Sequence, residues 1–495
     1  MDTTGYAPEE PIAAVATALA PSALGIVRVS GKNSIQLLSK IFSRPNALNE
    51  AAGNTIVYGW ILEPFFLEEE ASQKGVASQN SAAQNCLSGQ NATRKIDEVL
   101  VLVFRSPKSY TGEEMAEISC HGGTAVVTKI FNSLLKIGFR QAERGEFTFR
   151  AFINGKADLT KAEAVQEIIQ SRTSASSKKA AGRLAGSLFE QMQSVQKSLV
   201  DTLAQIEVEI EYPEDEETIA DAYDQTKLLW AIESLERLAS SWKSEKLYQE
   251  GARLVLCGKT NAGKSSLFNS LLKEERSIVS DIEGTTRDWI ESWVSLDGIP
   301  ARIFDTAGLR KTADEIEARG VESAKELSGE ADLILFLADI TQGFDGIDAV
   351  FLVEQKAPVV FIWNKIDMAD EAKKKSAAEF FESLKEKDKN LCAQVFVSAK
   401  NGEGVKDLVS LSKKVLLKGA QTEREQAGLG SERQKRLVEQ ALESLRHAAS
   451  LKKGYSLDAA VQDIEDALDF LGELTGRVTA DDILQSVFSN FCVGK

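Results

Sequence analysis

A glycine-rich octapeptide in the middle of the chain, Gly258–Ser265, constrains the fold more than any other feature. The apolar segment Leu254–Leu256 precedes it, and Ser266–Leu272 follows it with helical character. The order of strand, glycine-rich turn and helix is that of a phosphate-binding loop. Backbone N–H groups of such a turn and of the helix N-terminus attract phosphate oxygens. The octapeptide therefore predicts a domain that binds a nucleoside triphosphate.

The side chains in and around this loop suit a magnesium nucleotide. Lys264 is placed to reach the β- and γ-phosphates, and the hydroxyl of Ser265 suits Mg²⁺. The apolar run Ile303–Asp305 predicts a strand that delivers the carboxylate of Asp305 to the metal. Thr286 lies in a polar loop and would bind Mg²⁺ only while the γ-phosphate is present. The loop around Thr286 is therefore predicted to be a switch segment.

A second motif, Asn364–Asp367, indicates that the base is guanine. The two acceptor oxygens of Asp367 match adjacent N–H donors on one edge of guanine, and adenine lacks that pair. A site that leaves such a pair unsatisfied rejects the wrong ligand by roughly 10⁴-fold. Ser398–Lys400, after an apolar strand, is expected to cover the base oxygen. Together the motifs predict a GTPase domain over residues 250–417.

The predicted GTP-binding residues come from the phosphate loop, the predicted switch loop, the segment Asp305–Gly308 and the two base-binding segments. They are Asn261, Ala262, Gly263, Lys264, Ser265, Ser266, Ser280, Asp281, Ile282, Glu283, Gly284, Thr285, Thr286, Asp305, Thr306, Ala307, Gly308, Asn364, Lys365, Asp367, Ser398, Ala399 and Lys400.

The group that would align the attacking water is unusual. In Ras-like GTPases a glutamine follows Asp-Thr-Ala-Gly and orients that water, but here the position is Leu309, which cannot form a hydrogen bond. The stretch Asp314–Arg319 offers three carboxylates shortly downstream. Each of them is either a substitute for the glutamine or part of a solvated helix start.

Length and charge limit the remaining possibilities. The chain has 495 residues and a net charge of −16, so a nucleic acid must be contacted through a local patch or a basic partner. Five scattered cysteines without C-x-x-C spacing indicate a reducing compartment and no zinc site. Acidic residues precede the first apolar run, where a signal peptide would carry positive charge. No apolar run is long enough to cross a membrane. We therefore expect a cytoplasmic protein with no membrane contact.

The segments on either side of the GTPase domain differ in pattern. Residues 1–150 alternate short apolar strands with helices, except for a loop at 68–96 that is rich in Ser, Gln, Asn and Ala and is predicted to be flexible. Helical apolar stripes run over Leu188–Ile206 and Leu457–Leu471, and Thr160 with Glu163 predicts a capping box.

These patterns predict a multidomain α/β plus all-α fold. An α+β domain covers residues 1–152, and one helical domain combines 153–249 with 418–495. The Ras-like P-loop GTPase domain is inserted between the two helical segments, so that its motion would be transmitted into the helices.

Four further motifs point to a family. They are Ser109–Glu113, Cys120–Gly123, Gly145–Lys156 and the terminal Phe491–Lys495. With the nucleotide motifs, they make the chain resemble the MnmE (TrmE) family of tRNA modification GTPases over nearly its whole length.

The resemblance implies a homodimer whose N-terminal domain binds folate and dimerises. It also implies a flavoprotein partner of the MnmG (GidA) type, on which FAD and NADH are used. The pair would add an aminomethyl-type (carboxymethylaminomethyl) group to C5 of the wobble uridine of certain tRNAs. A tetrahydrofolate derivative, in its 5-formyl or methylene form, would supply the one-carbon unit.

The resemblance further implies a potassium ion where other GTPases use an arginine. Asn261, Ser280, Ile282 and Thr285 occupy the positions of its ligands, and the cation would stabilise charge that develops between the β- and γ-phosphates. Glu317 stands at the position of the family's water-orienting acid, which would compensate for Leu309.

Carried over in the same way, the folate site would comprise Arg28, Glu117, Lys156 and Lys495. A carboxylate can pair with the pterin ring, and cations suit the glutamate tail. Cys492 is either a thiol that attacks C6 of the uracil ring or a small residue packed against a helix. Two departures from the family concern this domain, namely Pro21–Leu24 in place of a Gly-Arg-Gly-Gly loop and Arg144 in place of proline.

Two other functions are compatible with the GTPase motifs. One is a GTP-dependent assembly factor for RNA or ribosomes, and the other is a folate-sensing scaffold with a vestigial GTPase. The terminal Cys-Val-Gly-Lys disfavours the first, because an assembly switch needs neither a thiol nor a folate pocket. The completeness of the phosphate and base motifs disfavours the second.

Overall fold

The chain divides by its contacts into two units, residues 1–162 with 475–495 and residues 163–474. The computed structural model describes residues 10–64, 95–211, 225–259, 261–274, 290–305, 329–342, 356–386, 388–417, 428–451, 457–477 and 480–494. Within these ranges each unit contains one six-stranded sheet. The C-terminal residues from 475 onward belong to the first unit, although the sequence placed them with the helical domain.

The sheet of the first unit is mostly antiparallel. Its strands are β1 (Ile12–Val15), β2 (Leu24–Ser30), β3 (Thr55–Leu62), β4 (Lys95–Phe104), β5 (Met115–His121) and β6 (Arg140–Gln141). They pair in the order β3-β4-β5-β2-β1-β6, and only β1 with β6 is parallel. Strands β2, β4 and β5 are among the short apolar strands that the sequence predicts for residues 1–150. Because Lys95 pairs with Leu62, β4 begins two residues inside the predicted 68–96 loop, and residues 68–94 lie outside the described chain.

The C-terminal tail belongs to the first unit because its aromatic residues pack there. The helices of this unit are α1 (Ser34–Ser39), α2 (Pro45–Glu50), α3 (Thr124–Lys136), α4 (Glu146–Ile153) and, at the C-terminus, α14 (Asp481–Ser489). The rings of Phe488 on α14 and Phe149 on α4 have centroids 5.5 Å apart and meet edge to face. Phe488 is fully buried, and burial of a phenylalanine side chain stabilises by about 1.5–3 kcal/mol.

Six described helices of the second unit flank its nucleotide-binding part, and the four longest of them share one apolar core. The six are α5 (Leu159–Gln170, which crosses the boundary at residue 162), α6 (Ser174–Leu184), α7 (Ser187–Glu211), α8 (Gln225–Glu250), α12 (Glu432–Ser450) and α13 (Leu457–Thr475). Buried residues before and after the nucleotide-binding part, such as Leu199 and Leu442, belong to the same cluster. The two predicted apolar stripes coincide with α7 and α13. No helix in the described ranges is both long and apolar enough to span a membrane.

The predicted capping box at Thr160 and Glu163 is wrong. Helix α5 begins earlier, at Leu159, and the carboxylate of Asp158 accepts the backbone N–H of Lys161 at 3.1 Å. Asp158 therefore caps the helix. Glu163 instead forms an ion pair with Arg433 at 3.0 Å, a long-range contact that local spacing does not indicate.

The sheet of the second unit has the topology of a P-loop GTPase. Its strands are β7 (Ala252–Gly258), β8 (Ile290–Leu296), β9 (Ile299–Asp305), β10 (Leu333–Asp339), β11 (Val359–Asn364) and β12 (Leu391–Phe396). They lie in the order β12-β11-β10-β7-β9-β8, and only β8 is antiparallel to its neighbour. Helices α9 (Lys264–Glu274), α10 (Glu371–Lys385) and α11 (Val405–Leu417) connect them. The predicted fold class, an α+β domain, helices and an inserted Ras-like sheet, is confirmed.

A buried ionic cluster joins the helices of the second unit. The guanidinium of Arg183, which is 1% exposed, contacts Glu167 at 2.6 Å and Glu245 at 3.1 Å. It also donates to the carbonyl oxygen of Gly428, beyond the nucleotide-binding part. Burial raises the pKa of Glu167 to about 7, although Arg183 acts in the opposite direction. Glu167 thus titrates near neutral pH in the folded protein.

Glu167→Gln should flatten the pH dependence of stability. Because the pKa of Glu167 is raised above its unfolded value, its contribution is present at low pH and is lost as the pH rises through 7. We expect the free energy of unfolding of the wild type, relative to the variant, to fall by about 1–3 kcal/mol between pH 5 and pH 8. Urea titrations followed by circular dichroism measure this. The exposed Glu443 provides the control Glu443→Gln, and identical pH slopes for wild type and Glu167→Gln would contradict the assignment.

Candidate nucleotide-binding site

The phosphate loop between β7 and α9 is shaped by two glycines with positive φ. Gly258 has φ +133°, and a Cβ there would lie 2.2 Å from the carbonyl oxygen of Leu337. Gly263 has φ +101°, and a Cβ there would lie 2.2 Å from the side-chain nitrogen of Asn364. Such separations are far below van der Waals contact, so only glycine fits at either position.

Lys264 holds its charge inside this loop. Its Nζ donates to the carbonyl oxygens of Gly258 at 2.7 Å and Lys259 at 2.8 Å, and the residue is 8% exposed. Ser265 follows in the first turn of α9 and is exposed. A cation, a hydroxyl and a helix N-terminus thus lie together, as the predicted phosphate and Mg²⁺ contacts require.

Asn364 connects the phosphate loop to the base-binding segments. Its Nδ2 donates to the carbonyl oxygen of Ala262 at 2.7 Å. Its Oδ1 accepts the backbone N–H of Ala399 at 3.0 Å. The side chain is 2% exposed, so both bonds form out of water. One amide therefore sets the distance between phosphate and base recognition.

The structure also brings the predicted base-reading groups together. Asp367 lies in a short 3₁₀ turn, Ile366–Met368, at the end of β11. Its Oδ1 accepts the hydroxyl of Ser398 at 2.7 Å. That bond orients the carboxylate toward one position, which favours selective recognition of a guanine edge. Lys400 lies nearby in sequence and is exposed.

Asp339 is a residue at this site that the sequence motifs do not indicate. It ends β10, and its Oδ2 contacts the Nζ of Lys365 at 2.7 Å. Its Oδ1 accepts the backbone N–H and the hydroxyl of Thr341 at 2.9 and 2.7 Å. The available signal was an apolar run, Leu333–Ala338, that ends in a carboxylate, as does the run before Asp305.

Other predicted residues of the GTP and folate sites lie outside the described residues. They are Ser280, Asp281, Ile282, Glu283, Gly284, Thr285, Thr286, Thr306, Ala307, Gly308, Glu317 and Lys495. Asp305 is the last residue of β9, beside the phosphate-loop strand, where its backbone pairs with Leu256. Asn261 is exposed and has φ +68°.

The predicted folate residues Arg28 and Glu117 form a cross-strand pair in the first unit. Two nitrogens of Arg28 contact one carboxylate oxygen of Glu117 at 3.0 and 2.8 Å. A third donates to the carbonyl oxygen of Gly494 at 2.9 Å. The rings of Tyr110 and Phe147 lie 5.8 and 5.6 Å from the guanidinium. The structure thus brings the C-terminal tail, a charge pair and two aromatic rings to one place.

Lys156 lies by the loop that includes Tyr110. Its Nζ donates to the carbonyl oxygen of Pro107 at 3.1 Å. The adjacent Asn154 donates from Nδ2 to the carbonyl oxygen of Thr111 at 2.8 Å. The segments around Lys156 and Tyr110 are therefore tied together.

The tail also positions Cys492. The carbonyl oxygen of Cys492 accepts the N–H of Gly145, and Val493 forms a bridge with Arg144. Cys492 is a free cysteine and is exposed. Exposure does not fit the alternative that this residue is packed against a helix.

The sheet order, the phosphate loop and the Asn-Lys-x-Asp arrangement define a P-loop GTPase. The family model of the MnmE helical domain matches residues 159–492, and that of the GTP-binding protein TrmE N-terminus matches residues 11–156. The chain belongs to the MnmE (TrmE) family of tRNA modification GTPases, and it is a GTP hydrolase.

Individual relatives match this chain over nearly its full length. The tRNA modification GTPase MnmE of Treponema denticola is 48% identical, with 99% of each chain covered. That of Carboxydothermus hydrogenoformans is 40% identical, with 98% of this chain and all of the relative covered. Among solved structures, Aquifex aeolicus Era bound to GDP and aluminium fluoride is 26% identical over 41% of this chain and 68% of its own, with a TM-score of 0.28. The fold assignment rests on strand order rather than on that last similarity.

Proposed function

We propose that this chain is a K⁺-stimulated GTPase that modifies the wobble uridine of certain tRNAs at C5. It would act with a flavoprotein of the MnmG type and add an aminomethyl-type group, carboxymethylaminomethyl in its final form. The observation that best supports this is the full-length match to MnmE relatives, together with the C-terminal tail that meets Arg28. An assembly factor would need no such tail at the Arg28 pair.

The nucleotide site fits Mg²⁺ and K⁺ in its described part. The hydroxyl of Ser265 beside Lys264 is a suitable Mg²⁺ ligand. Asn261 is exposed in the middle of the loop, where its side-chain oxygen is a suitable K⁺ ligand. A monovalent cation there would stabilise negative charge between the β- and γ-phosphates during hydrolysis. Ser280, Ile282 and Thr285 are proposed as further K⁺ ligands, Thr286 as a Mg²⁺ ligand and Glu317 as the group that orients water.

Potassium should accelerate GTP hydrolysis by at least about tenfold over sodium at equal ionic strength, because the proposed ligands would hold the larger cation where it stabilises charge between the β- and γ-phosphates. Asn261→Ala should abolish the difference. The exposed Asn269 on α9 provides the control Asn269→Ala, which should retain it. Phosphate release from purified protein measures the rates. Equal rates in both salts, with Asn261→Ala as active as the wild type, would refute the proposed K⁺ site.

The Arg28 site fits a folate on chemical grounds. The carboxylate of Glu117 is a suitable acceptor for the N–H groups of a pterin ring. The neighbouring rings of Tyr110 and Phe147 offer apolar faces to a flat heterocycle. Arg28 and Lys156, with Lys495 at the C-terminus, would provide cations for the glutamate tail. Tetrahydrofolate in its 5-formyl or methylene form would supply the one-carbon unit, and FAD and NADH would act on the partner.

Cys492 is proposed to act on the uracil ring. An exposed cysteine in the tail beside the Arg28 site is accessible to a nucleobase. Addition of its thiolate to C6 would make C5 nucleophilic toward the one-carbon unit.

A homodimer would form through the outer face of the first sheet. Ile56, Tyr58 and Leu100 are 62, 50 and 45% exposed, and cross-strand pairing of Tyr58 with Leu100 places them on one face. Leu102 pairs with Glu117, so this apolar patch shares its face with the predicted folate residues. Exposed apolar patches of this kind mark interaction sites. A second copy of the chain is the proposed occupant.

Leu100→Glu should therefore convert a dimer to a monomer, because it places a charge in the apolar patch. Sedimentation velocity measures the change. The control is Leu229→Glu on α8, a comparably exposed leucine (53%) in the other unit, which should leave the dimer intact. A Leu100→Glu dimer as stable as that of the wild type would exclude this face.

Deletion of the gene should remove the C5-substituted wobble uridine from tRNA, and the wild-type gene should restore it. Cys492→Ser should fail to restore it, because serine is a far weaker nucleophile. Cys392→Ser is the matched control, since Cys392 is also a free, exposed cysteine. Mass spectrometry of wobble nucleosides measures the outcome. An unchanged nucleoside profile on deletion would instead favour the RNA or ribosome assembly factor.

A further inference from the structure

Asp339 lies next to the base-binding motif without belonging to it. Strands β10 and β11 are parallel, and Asp339 pairs in register with Asn364 at their carboxyl ends. The backbone N–H of the next residue, Ile340, donates to the carbonyl oxygen of Asn364 at 3.1 Å. Ligands of open α/β sheets bind at this edge. Asp339 is therefore one strand away from the residues that read guanine.

The carboxylate of Asp339 is held on both oxygens. Thr341 donates its N–H and its hydroxyl to Oδ1, and Lys365 donates to Oδ2. The residue is 7% exposed. Burial alone would raise the pKa of Asp339, but the bonds from Lys365 and Thr341 outweigh it and lower the pKa. The group is thus a fixed negative charge at neutral pH.

The backbone and the ammonium group of Lys365 are both constrained. Its backbone has φ +67°, a conformation that L-residues seldom adopt. Its ammonium is bound to Asp339, and its side chain remains 32% exposed. A free lysine side chain would lose rotamer entropy on being ordered by a ligand. Here the ion pair orders it beforehand.

We propose that Asp339 is a positioning residue for guanine recognition, which acts by holding Lys365 in the orientation that packs against the face of the bound base. Lys365 stands between Asn364, which ties the phosphate loop, and Asp367, which reads the base edge. A lysine stem and cation over an aromatic face interact favourably. The role rests on GTP binding alone and is independent of tRNA modification.

A double-mutant cycle tests this assignment. Asp339→Asn should raise the Kd for GDP and the KM for GTP about tenfold, since a charged hydrogen bond of this size is lost. The kcat should change less than twofold. In a Lys365→Met background the same Asp339→Asn change should alter Kd less than twofold. Equal effects in both backgrounds, or a fall in kcat at constant KM, would overturn the proposal.

A second nucleotide separates positioning from edge reading. Inosine triphosphate lacks the 2-amino group of guanine, which Asp367 is expected to contact, but keeps the ring face. Asp339→Asn should therefore weaken the binding of GTP and of inosine triphosphate by the same factor. A change in the ratio of the two Kd values would overturn the proposal. Thermal melting checks folding. If Asp339→Asn does not fold, Asp339→Glu is tested in its place. The glutamate carboxylate is displaced from the position of the aspartate carboxylate, so Asp339→Glu should raise the KM for GTP when Lys365 is present. In the Lys365→Met background it should leave the KM unchanged.

Discussion

The buried amide of Asn364 is the contact on which the nucleotide site depends. It donates to Ala262 in the phosphate loop and accepts from Ala399 in the last base-binding segment. Segments that lie more than a hundred positions apart in the chain, around Ala262 and Ala399, are thereby held at a fixed distance from each other. The approach is so close that Gly263 has no room for a Cβ. An amide has one donor and one acceptor group to offer in this way, whereas a carboxylate of the same size lacks the donor. Both ends of a nucleotide can then be recognised by preformed groups.

The nucleotide-binding part contacts the helices of its unit through the hairpin of β8 and β9. Trp293 on β8 lies 4.1 Å from the guanidinium of Arg172, and the hydroxyl of Thr173 donates to Gly298 at the hairpin turn. Trp293 also packs against Gly251, the residue that connects α8 to β7. In the sequence, the hairpin directly follows the predicted switch loop around Thr286 and ends at Asp305, which is predicted to bind at the nucleotide. In a packed contact of this kind, a displacement of one element requires its neighbour to move as well.

Local patterns predicted much of the fold, and the exceptions share a cause. The apolar stripes of α7 and α13 and the strand before the phosphate loop follow from periodicity, because burial of one face requires it. The capping box failed because Glu163 is recruited by Arg433, far along the chain. Asp339 was missed because its role comes from the neighbouring strand. The pairing of Arg28 with Glu117 is likewise a matter of strand register. The family resemblance assigned both residues to a folate site but did not indicate that they pair with each other. Long-range pairs are not encoded in local spacing.

The sequence by itself determined the chemistry of the nucleotide site, since a glycine-rich turn between strand and helix and an Asn-Lys-x-Asp motif require particular backbone shapes and donor sets wherever they occur. It also determined that helical segments flank the GTPase sheet. The tertiary structure decided which distant groups meet: Asp339 with Lys365, Arg183 with Glu167 and Glu245, and the C-terminal tail with Arg28. These contacts depend on sheet order and helix packing, where many weak interactions are summed over the whole core. No single segment contains the information that selects them.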